Sequence, residues 1–156
     1  MRQITIITFG YLHGDPPPAH ITFDLRHHFR DPHVSPELRH LDATDARVQQ
    51  AVYGTPGIAQ LLQAALGVVW AYLAGPSAGP VTVAVGCAGG RHRAAAAGLA
   101  LAEMLGDDAE VSLTHRDLAR PVVERPATGP ADDTAEAPAG DVAAMRRAML
   151  GQDGPH

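Results

Sequence analysis

The sequence predicts one α/β domain with a mainly parallel sheet flanked by helices, followed by a C-terminal tail. Three observations predict it. Strand and helix patterns alternate along the chain, as in folds that pack helices against a parallel sheet. Residues 81–85 are almost wholly apolar, which is typical of a central parallel strand. A glycine-rich turn then leads directly into an alanine-rich helix. With 156 residues, the chain is long enough to bury one substantial core.

The first two strands are predicted near the N-terminus. Residues 3–9 are rich in β-branched side chains and end at Gly10. Residues 11–18 contain three prolines, which cannot lie inside a strand ladder, so they form a loop. Residues 21–26 alternate apolar and polar side chains, which predicts the second strand. Residues 27–40 are polar and histidine-rich, and we expect a loop there.

Two helices are predicted next. Thr44 is placed to cap a short helix that runs to about Tyr53, and Thr55-Pro56 is placed to start a second one. From Ile58 to Leu73 the apolar residues follow the i, i+3, i+4 spacing of one helix face. The chain has no charged residue between Val48 and Gly90, so we expect this helix to line the core or a homo-oligomer interface.

The second half of the domain repeats the pattern. The strand at 81–85 is followed by a crossover helix predicted over 91–105 and ended by Gly106. A fourth strand is predicted over 110–114, with His115 and Arg116 at its exit. In such α/β folds, ligands bind at the carboxyl ends of the strands.

Composition restricts the remaining possibilities. The net charge is −5, which does not favour general attraction to nucleic acid or anionic membranes. The single cysteine excludes an internal disulfide. We see neither a signal peptide nor a membrane-spanning segment, so we expect a cytoplasmic protein. Residues 1–120 are predicted to form the domain and 121–156 a flexible acidic tail, with a short helix over 141–150 and no chemistry.

The glycine-rich turn is the strongest candidate for a functional site. Gly86, Gly89 and Gly90 lie between a strand and a helix N-terminus, where free backbone N–H groups and the helix dipole favour an anion. Three cationic or cationisable residues, Arg91, His92 and Arg93, follow on the first helical turn and are predicted to close over a phosphate or carboxylate. The turn matches neither a Walker A loop nor a dinucleotide-binding fingerprint. A purely structural role, in which the glycines allow tight packing, stays open.

Cys87 and Arg93 also have the Cys-x5-Arg spacing of cysteine phosphatases. A helix dipole and an arginine would lower the pKa of such a thiol and activate it as a nucleophile. However, Ala94 occupies the position where those enzymes usually carry a hydroxyl, and no general acid can be assigned. A buried, inert cysteine is the alternative.

A metal site is a weaker hypothesis for the histidine-rich loop. His27, His28, Asp31 and His33 are residue types that bind zinc, but their spacing matches no strong signature. We therefore expect no metal and no cofactor. Alternatively, His33 and Arg26 reach the same pocket as the glycine-rich turn.

Several separated motifs resemble one known family. They lie at residues 23–26, 31–39, 85–93 and 115–117, and residues 8–10 resemble the start of the same domain. In order and spacing they are similar to the C-terminal domain of the RapZ (YvcJ-like) proteins, over about residues 4–118. The resemblance implies an α/β domain related to a phosphofructokinase subdomain. It also implies binding of glucosamine-6-phosphate and, in enterobacterial members, of small RNAs and an RNase.

Three departures from that family affect the expected function. The family's N-terminal P-loop domain is not in this sequence, so nucleotide hydrolysis is not inferred. Ala88 replaces a hydroxyl residue in the loop, which removes one donor to the phosphate. The basic run that follows His115 and Arg116 in the family is replaced by a mostly apolar segment, which weakens an RNA role.

These observations predict a binding or sensor domain for a phosphorylated metabolite, with an amino-sugar phosphate such as glucosamine-6-phosphate as the leading ligand. Backbone N–H groups of residues 88–91 would hold the phosphate and Arg93 would neutralise it, while His33, Asp24 and Arg26 would contact the sugar. The alternatives are a phosphatase or phosphotransferase that uses Cys87, and an RNA or protein adaptor. The predicted ligand-binding residues are Asp24, Arg26, His33, Gly86, Cys87, Ala88, Gly89, Gly90, Arg91, His92, Arg93, His115 and Arg116.

Overall fold

The computed structural model describes residues 2–77 and 79–124. Four strands form one sheet: β1 (Gln3–Gly10), β2 (Ile21–Asp24), β3 (Val81–Cys87) and β4 (Glu110–His115). Their order is β2-β3-β1-β4, and every neighbouring pair is parallel. The predicted α/β class with a parallel sheet is confirmed. Because all four strands run the same way, their carboxyl ends meet at one edge of the sheet.

Three α-helices accompany the sheet: α1 (Ala46–Tyr53), α2 (Ile58–Leu73) and α3 (Arg93–Leu105). Two short 3-10 helices, Tyr11–His13 and Pro32–Val34, lie in the segments that were predicted as loops. Both follow the carboxyl end of a strand, so they lie at the same edge as the glycine-rich turn.

The core lies between the helices and one face of the sheet. The face of α2 that is buried carries Ile58, Leu62, Ala65, Val69 and Leu73, as its spacing predicted. The opposite face is uncharged and leaves Val68 and Tyr72 exposed. Homo-oligomer formation through α2 stays a prediction.

Helix α3 packs closely on β1 because it is built of small residues. A Cβ atom on Gly98 would lie 2.3 Å from Cγ2 of Thr8 and 3.5 Å from Leu113. Most of α3 is buried, including Ala94, Ala95 and the residues that follow. The alanine-rich sequence therefore lets the helix lie directly against β1, β3 and β4.

The helix starts differ from the sequence predictions. Asp45, not Thr44, caps α1, because its side chain accepts the Arg47 N–H at 2.9 Å. Helix α2 begins at Ile58 after Gly57, which has a φ of 93°, so Thr55-Pro56 lies in the preceding turn.

Helix α3 begins at Arg93 instead of residue 91. Gly90 has a φ of 78°, and His92 occupies the N-cap position with φ −112° and ψ −88°. The turn therefore extends two residues further than the sequence predicted. Arg91 and His92 lie in it, and not on the first helical turn.

No single helix within residues 2–77 and 79–124 combines the length and apolar character needed to cross a membrane. Helices α1 and α2, bent by 84°, meet those criteria only as a pair and only by length and composition. Most of the predicted tail, including the helix over 141–150, lies outside the described residues.

Candidate anion-binding site

The glycine-rich turn, residues 88–92, lies at the carboxyl edge of the sheet and touches the end of β1. A Cβ on Gly90 would be 2.8 Å from the Gly10 nitrogen, and one on Gly10 would be 2.4 Å from the Gly89 carbonyl carbon. The two backbones are thus in direct contact, which only glycine permits. The Leu12 N–H also donates to the Ala88 carbonyl at 3.0 Å. Backbone contacts alone therefore hold the turn against the end of β1.

A small open pocket of about 20 Å³ lies beside this turn. It is lined by Leu12, Asp31, His33, Cys87, Gly89, Arg91, His92, Arg93, Pro121, Val122 and Val123. Six of the residues predicted to bind a ligand are among them: His33, Cys87, Gly89, Arg91, His92 and Arg93. The volume suits about one water molecule.

Arg93 is buried, with 3% of its surface exposed. Its Nη1 donates to the carbonyls of Leu25 at 2.8 Å, Arg26 at 3.0 Å and Phe29 at 3.1 Å, and its Nη2 donates to the Asp31 carboxylate at 2.6 Å. These contacts bind the guanidinium to the loop after β2, and its role in closing over a ligand stays a prediction. Its buried Nε has no hydrogen-bond partner among the described residues.

Arg91 makes a similar set of contacts with a different part of the chain. Its Nη1 donates to the carbonyls of Leu118 at 3.1 Å and Arg120 at 2.9 Å, and its Nη2 donates to the His40 carbonyl at 3.2 Å. Arg91 therefore joins the glycine-rich turn to two other segments. Arg91 also lines the pocket, and its closing over a phosphate or carboxylate stays a prediction.

His92 is buried and neutral. Its Nε2 lies 2.9 Å from the Leu41 carbonyl and 3.2 Å from the Leu38 carbonyl, so Nε2 must carry the proton. Burial lowers the pKa of the imidazole, and the nearby Asp31 only partly offsets this. The His33 ring centre is 6.4 Å away. His92 thus fixes the loop at residues 38–41 against the turn.

Cys87 lies under the turn with 2% of its surface exposed. Its Sγ accepts the Gly90 N–H at 3.3 Å. Burial raises the pKa of the thiol, although Arg93 and two backbone N–H groups act in the opposite direction. The thiol is therefore protonated near neutral pH, and Arg93 is bound elsewhere. This geometry lacks the activated thiolate that the phosphatase alternative requires.

Asp24 and Arg26 form an ion pair beside the pocket. The Arg26 Nη2 lies 2.6 Å from the Asp24 carboxylate, and the Arg26 guanidinium stacks 3.6 Å from the centre of the Tyr11 ring. The hydrogen bond from Arg26 holds the pKa of Asp24 below its usual value. The side chains do not line the pocket, although the Arg26 carbonyl accepts from Arg93.

His115 and Arg116 are not brought to the pocket. Nδ1 of His115 lies 2.7 Å from Oγ1 of Thr8 on the neighbouring strand. Arg116 donates to the carbonyls of Gly10 and Asp15 and thereby holds the loop after β1. Both residues support the carboxyl edge and do not form the pocket wall.

The conformation of the turn depends on three small residues, Gly86, Ala88 and Gly90. The ring of Phe9 occupies the space that a Cβ on Gly86 would need, 2.4 Å away. Ala88 is 5% exposed and offers no hydroxyl.

The prediction from sequence missed Asp117 and the pocket residues contributed by the chain after β4. Asp117 is completely buried, and its Oδ2 accepts the Gly10 N–H at 2.8 Å and the Arg116 Nε at 2.9 Å. Burial alone would raise the pKa of this carboxyl, but these hydrogen bonds lower it overall. An acidic residue directly after the predicted fourth strand was the available signal. Pro121, Val122 and Val123 carry no comparable signal.

The described residues do not bring three histidine, cysteine, aspartate or glutamate side chains together as a metal-binding group. What they bring together is positive charge. Arg91 and Arg93 line the pocket with Asp31 as the single carboxylate, beside the start of the 13-residue helix α3. The N-cap residue His92 makes no side-chain capping hydrogen bond, although the Cys87 thiol accepts the Ala94 N–H of the first turn. The arrangement is suited to a small anion.

Comparison with known families decides the family of this chain. The model of the RapZ C-terminal domain matches residues 2–119, which include the whole sheet, the three helices and the glycine-rich turn. The chain belongs to the RapZ C-terminal domain family. The resemblance carried by the four sequence motifs is therefore confirmed.

Individual relatives agree with this assignment. The chain is 38% identical over 123 residues to a nucleotide-binding protein of Rhodococcus erythropolis, covering 76% of this chain and 41% of that protein. A nucleotide-binding protein of Thermobifida fusca is 37% identical over 122 residues, with the same coverage. One from Alkalilimnicola ehrlichii is 39% identical over 122 residues, covering 72% and 40%.

The chain thus spans about two fifths of the length of the curated relatives that it matches. The RapZ family match ends at residue 119, so Pro121, Val122 and Val123 lie just beyond it although they line the pocket.

Proposed function

We propose that this RapZ-type domain binds a phosphorylated metabolite at the glycine-rich turn, with an amino-sugar phosphate such as glucosamine-6-phosphate as the leading candidate. The observation that carries the proposal is the start of α3, whose N-cap residue makes no side-chain capping bond and which adjoins a pocket lined by two arginines and one carboxylate. Asp31 already forms an ion pair with Arg93, so Arg91 supplies the positive charge near the helix N-terminus that still favours an anion. A bound phosphate would be that anion.

The roles of the side chains follow from their contacts. Backbone N–H groups near Gly89 and Arg91 would bind the phosphate oxygens directly. Arg93 would contribute charge and the hydrogen of its unpartnered Nε, while its other nitrogens keep the loop after β2 in position. His33, which also lines the pocket, would contact the organic part of the ligand.

The choice of a sugar phosphate rests on family membership and on the polar character of the wall formed by Asp31 and His33. Asp31 and His33 offer groups that hydrogen-bond hydroxyl or amino substituents. Asp24 and Arg26 would act indirectly, by positioning the backbone that Arg93 binds.

The test is a thermal-shift and calorimetric comparison of four ligands: glucosamine-6-phosphate, glucose-6-phosphate, glucosamine and inorganic phosphate. A ligand that binds only the native state raises the apparent melting temperature. We expect both sugar phosphates to stabilise the protein and glucosamine alone to have no effect. Because the relatives are named nucleotide-binding proteins, AMP and ATP form a further arm. If none of the phosphorylated compounds shifts the melting temperature, the proposal is wrong.

A matched pair of variants localises the site. A Cβ on Gly89 meets no atom within 4 Å, so Gly89→Ala should fold normally and yet place a methyl group at the pocket wall. We expect at least tenfold weaker sugar-phosphate binding, since a phosphate must approach the backbone closely. Gly79→Ala, which also has open space and lies before the amino end of β3 while the turn follows its carboxyl end, should bind normally. Equal affinities of the two variants would place the ligand elsewhere.

The two other candidate functions receive less support. The protonated, buried thiol of Cys87 does not favour phosphoryl transfer. Arg91, Arg93 and Arg116 donate to carbonyls of their own chain, so they do not form an open basic face for RNA.

A further inference from the structure

The segment that follows β4 forms one wall of the anion pocket. We call residues 118–123 the strap. Pro121, Val122 and Val123 line the pocket together with residues of the glycine-rich turn, and Val122 and Val123 are half-buried. The strap thus places two apolar side chains against a wall made of arginine, histidine and aspartate. Such contacts contribute little specific binding energy, because the polar wall gains no hydrogen bonds from them.

The strap is fastened at its base. Nη1 of Arg91 donates to the carbonyls of Leu118 at 3.1 Å and Arg120 at 2.9 Å. The Arg120 N–H donates to the Asp117 carbonyl at 3.1 Å, and Nε of Arg120 lies 3.3 Å from the Asp117 carboxylate. The hydrogen bonds between the strap and other described residues end at Arg120. Beyond it, the strap is held by side-chain packing.

With the strap in place, the pocket is too small for the phosphorylated ligand that its charged lining favours. A volume of about 20 Å³ suits about one water molecule, whereas a phosphate group with a sugar attached needs far more space. The turn and the β1 end cannot retreat, because Gly10 and Gly90 are in backbone contact. The strap is half-buried at Val122 and Val123, and its hydrogen bonds to the described residues all lie at its base, between Leu118 and Arg120.

We propose that the strap is a closing element of the anion site, latched by Arg91, and that it swings away from the turn to admit a phosphorylated ligand. This inference rests on the proposed function for the identity of the ligand. Arg91 is then a positioning residue, because the strap carbonyls and the incoming anion compete for its guanidinium. Binding and opening are then coupled, since an anion that attracts Arg91 removes two hydrogen bonds from the strap.

Cys87 provides a reporter of strap opening that needs no ligand. It is the single cysteine of the chain, it lines the pocket, and it is 2% exposed. The experiment measures the rate of its alkylation by iodoacetamide in the folded, full-length chain by mass spectrometry. The test variant is Val122→Ser with Val123→Ser, which weakens the packing of the strap. The control is Val68→Ser on the exposed face of α2.

We expect the strap variant to be alkylated about tenfold faster than the wild type, because local opening becomes more frequent. The Val68→Ser control should react at the wild-type rate. Arg91→Lys, which keeps the charge but cannot bind two carbonyls in the same way, should also react faster. Equal alkylation rates for the wild type and the folded strap variant would overturn the proposal.

A second arm repeats the alkylation with glucosamine-6-phosphate and, separately, with inorganic phosphate. If the strap gates the site, the strap variant should associate with the sugar phosphate faster than the wild type does, and the bound ligand should protect Cys87. If the strap variant is alkylated faster but neither compound protects Cys87, the opening of the strap is supported and the proposed function is not. If the ligand protects Cys87 but the wild type and the strap variant have equal association and alkylation rates, the proposed function is supported. The strap is then not a closing element.

Discussion

At the scale of single residues, buried charge holds the carboxyl edge of the sheet together. Asp117 is completely buried and binds the Gly10 N–H, Arg116 and Arg120, which belong to the end of β1 and to the chain after β4. Arg93 acts likewise between α3 and the loop after β2. Buried charges of this kind stabilise a structure only while every partner is present.

Asp117→Asn removes the charge and keeps the shape. We expect a loss of about 2 kcal/mol in the free energy of unfolding, because hydrogen bonds to a charged group are replaced by neutral ones. Urea unfolding followed by circular dichroism measures it. Asp108→Asn, at an exposed position, is the control and should change stability by less than about 0.5 kcal/mol. Equal stabilities of the two variants would show that Asp117 is not an anchor.

Sequence alone located the turn but not the direction of its side chains. Gly86, Gly89 and Gly90 identified the strand-to-helix junction because their spacing is a local property. The partners of Arg93 are carbonyls of Leu25 and Phe29, which are distant in sequence and carry no side-chain signal. An arginine that binds carbonyls is indistinguishable, in sequence, from one that binds a ligand.

At the scale of elements, the close packing of α3 on β1 sets the position of the turn. Gly98 lies where α3 crosses Thr8, whose Oγ1 is also bonded to His115. Thr8 therefore cannot rotate away from a larger side chain without breaking that hydrogen bond. The position of α3, and with it the first turn that faces the pocket, depends on this contact.

Gly98→Ala should destabilise the domain by about 1–3 kcal/mol, although alanine is the better helix former, because the methyl group overpacks the contact with Thr8. Gly67→Ala is the matched test on α2, where a Cβ meets no atom within 4 Å. It should stabilise by about 0.5–1 kcal/mol. Thermal or urea unfolding of both variants distinguishes overpacking from helix propensity. Stabilisation by both substitutions would contradict the packing argument.

The elements themselves were largely predictable, and their ends were not. Periodicity identified β2 and α2, because core burial imposes it on the sequence, while β-rich or apolar runs, capping residues and the alanine-rich segment identified the other strands and helices. The start of α3 was placed two residues early because Arg91 and His92 have ordinary helix propensity. Their backbone is instead set by the positive φ of Gly90 and by contacts with residues 38–41.

At the scale of the whole molecule, two histidines that the fold keeps neutral make stability depend on pH. Burial lowers the pKa of both His92 and His115 below the value of about 6.5 for an unfolded chain. The unfolded state therefore binds protons first as the pH falls. The stabilisation from these neutral side chains is present above about pH 6.5 and is lost as the pH falls toward their lowered pKa values.

The free energy of unfolding should therefore decrease from pH 7.5 to pH 5.5, with a slope of at most about 1.4 kcal/mol per pH unit for each histidine. His92→Gln keeps a donor for the Leu41 carbonyl and should flatten this slope while lowering stability at pH 7.5. Urea titrations at several pH values test this, and an unchanged slope in the His92 variant would exclude its contribution.

The strand order has a consequence for how the chain reaches this structure. β1 is synthesised first, yet its partners across the sheet are β3 and β4: Ile4 pairs with Val81 and with Val111. Such distant pairings raise the contact order and slow folding, because the intervening chain must be ordered before they form. Until β3 is synthesised, the apolar side chains of β1 have no strand beside them. A nascent chain that ends before residue 81 therefore exposes the apolar side chains of β1. We expect it to depend on chaperones more than the complete domain does.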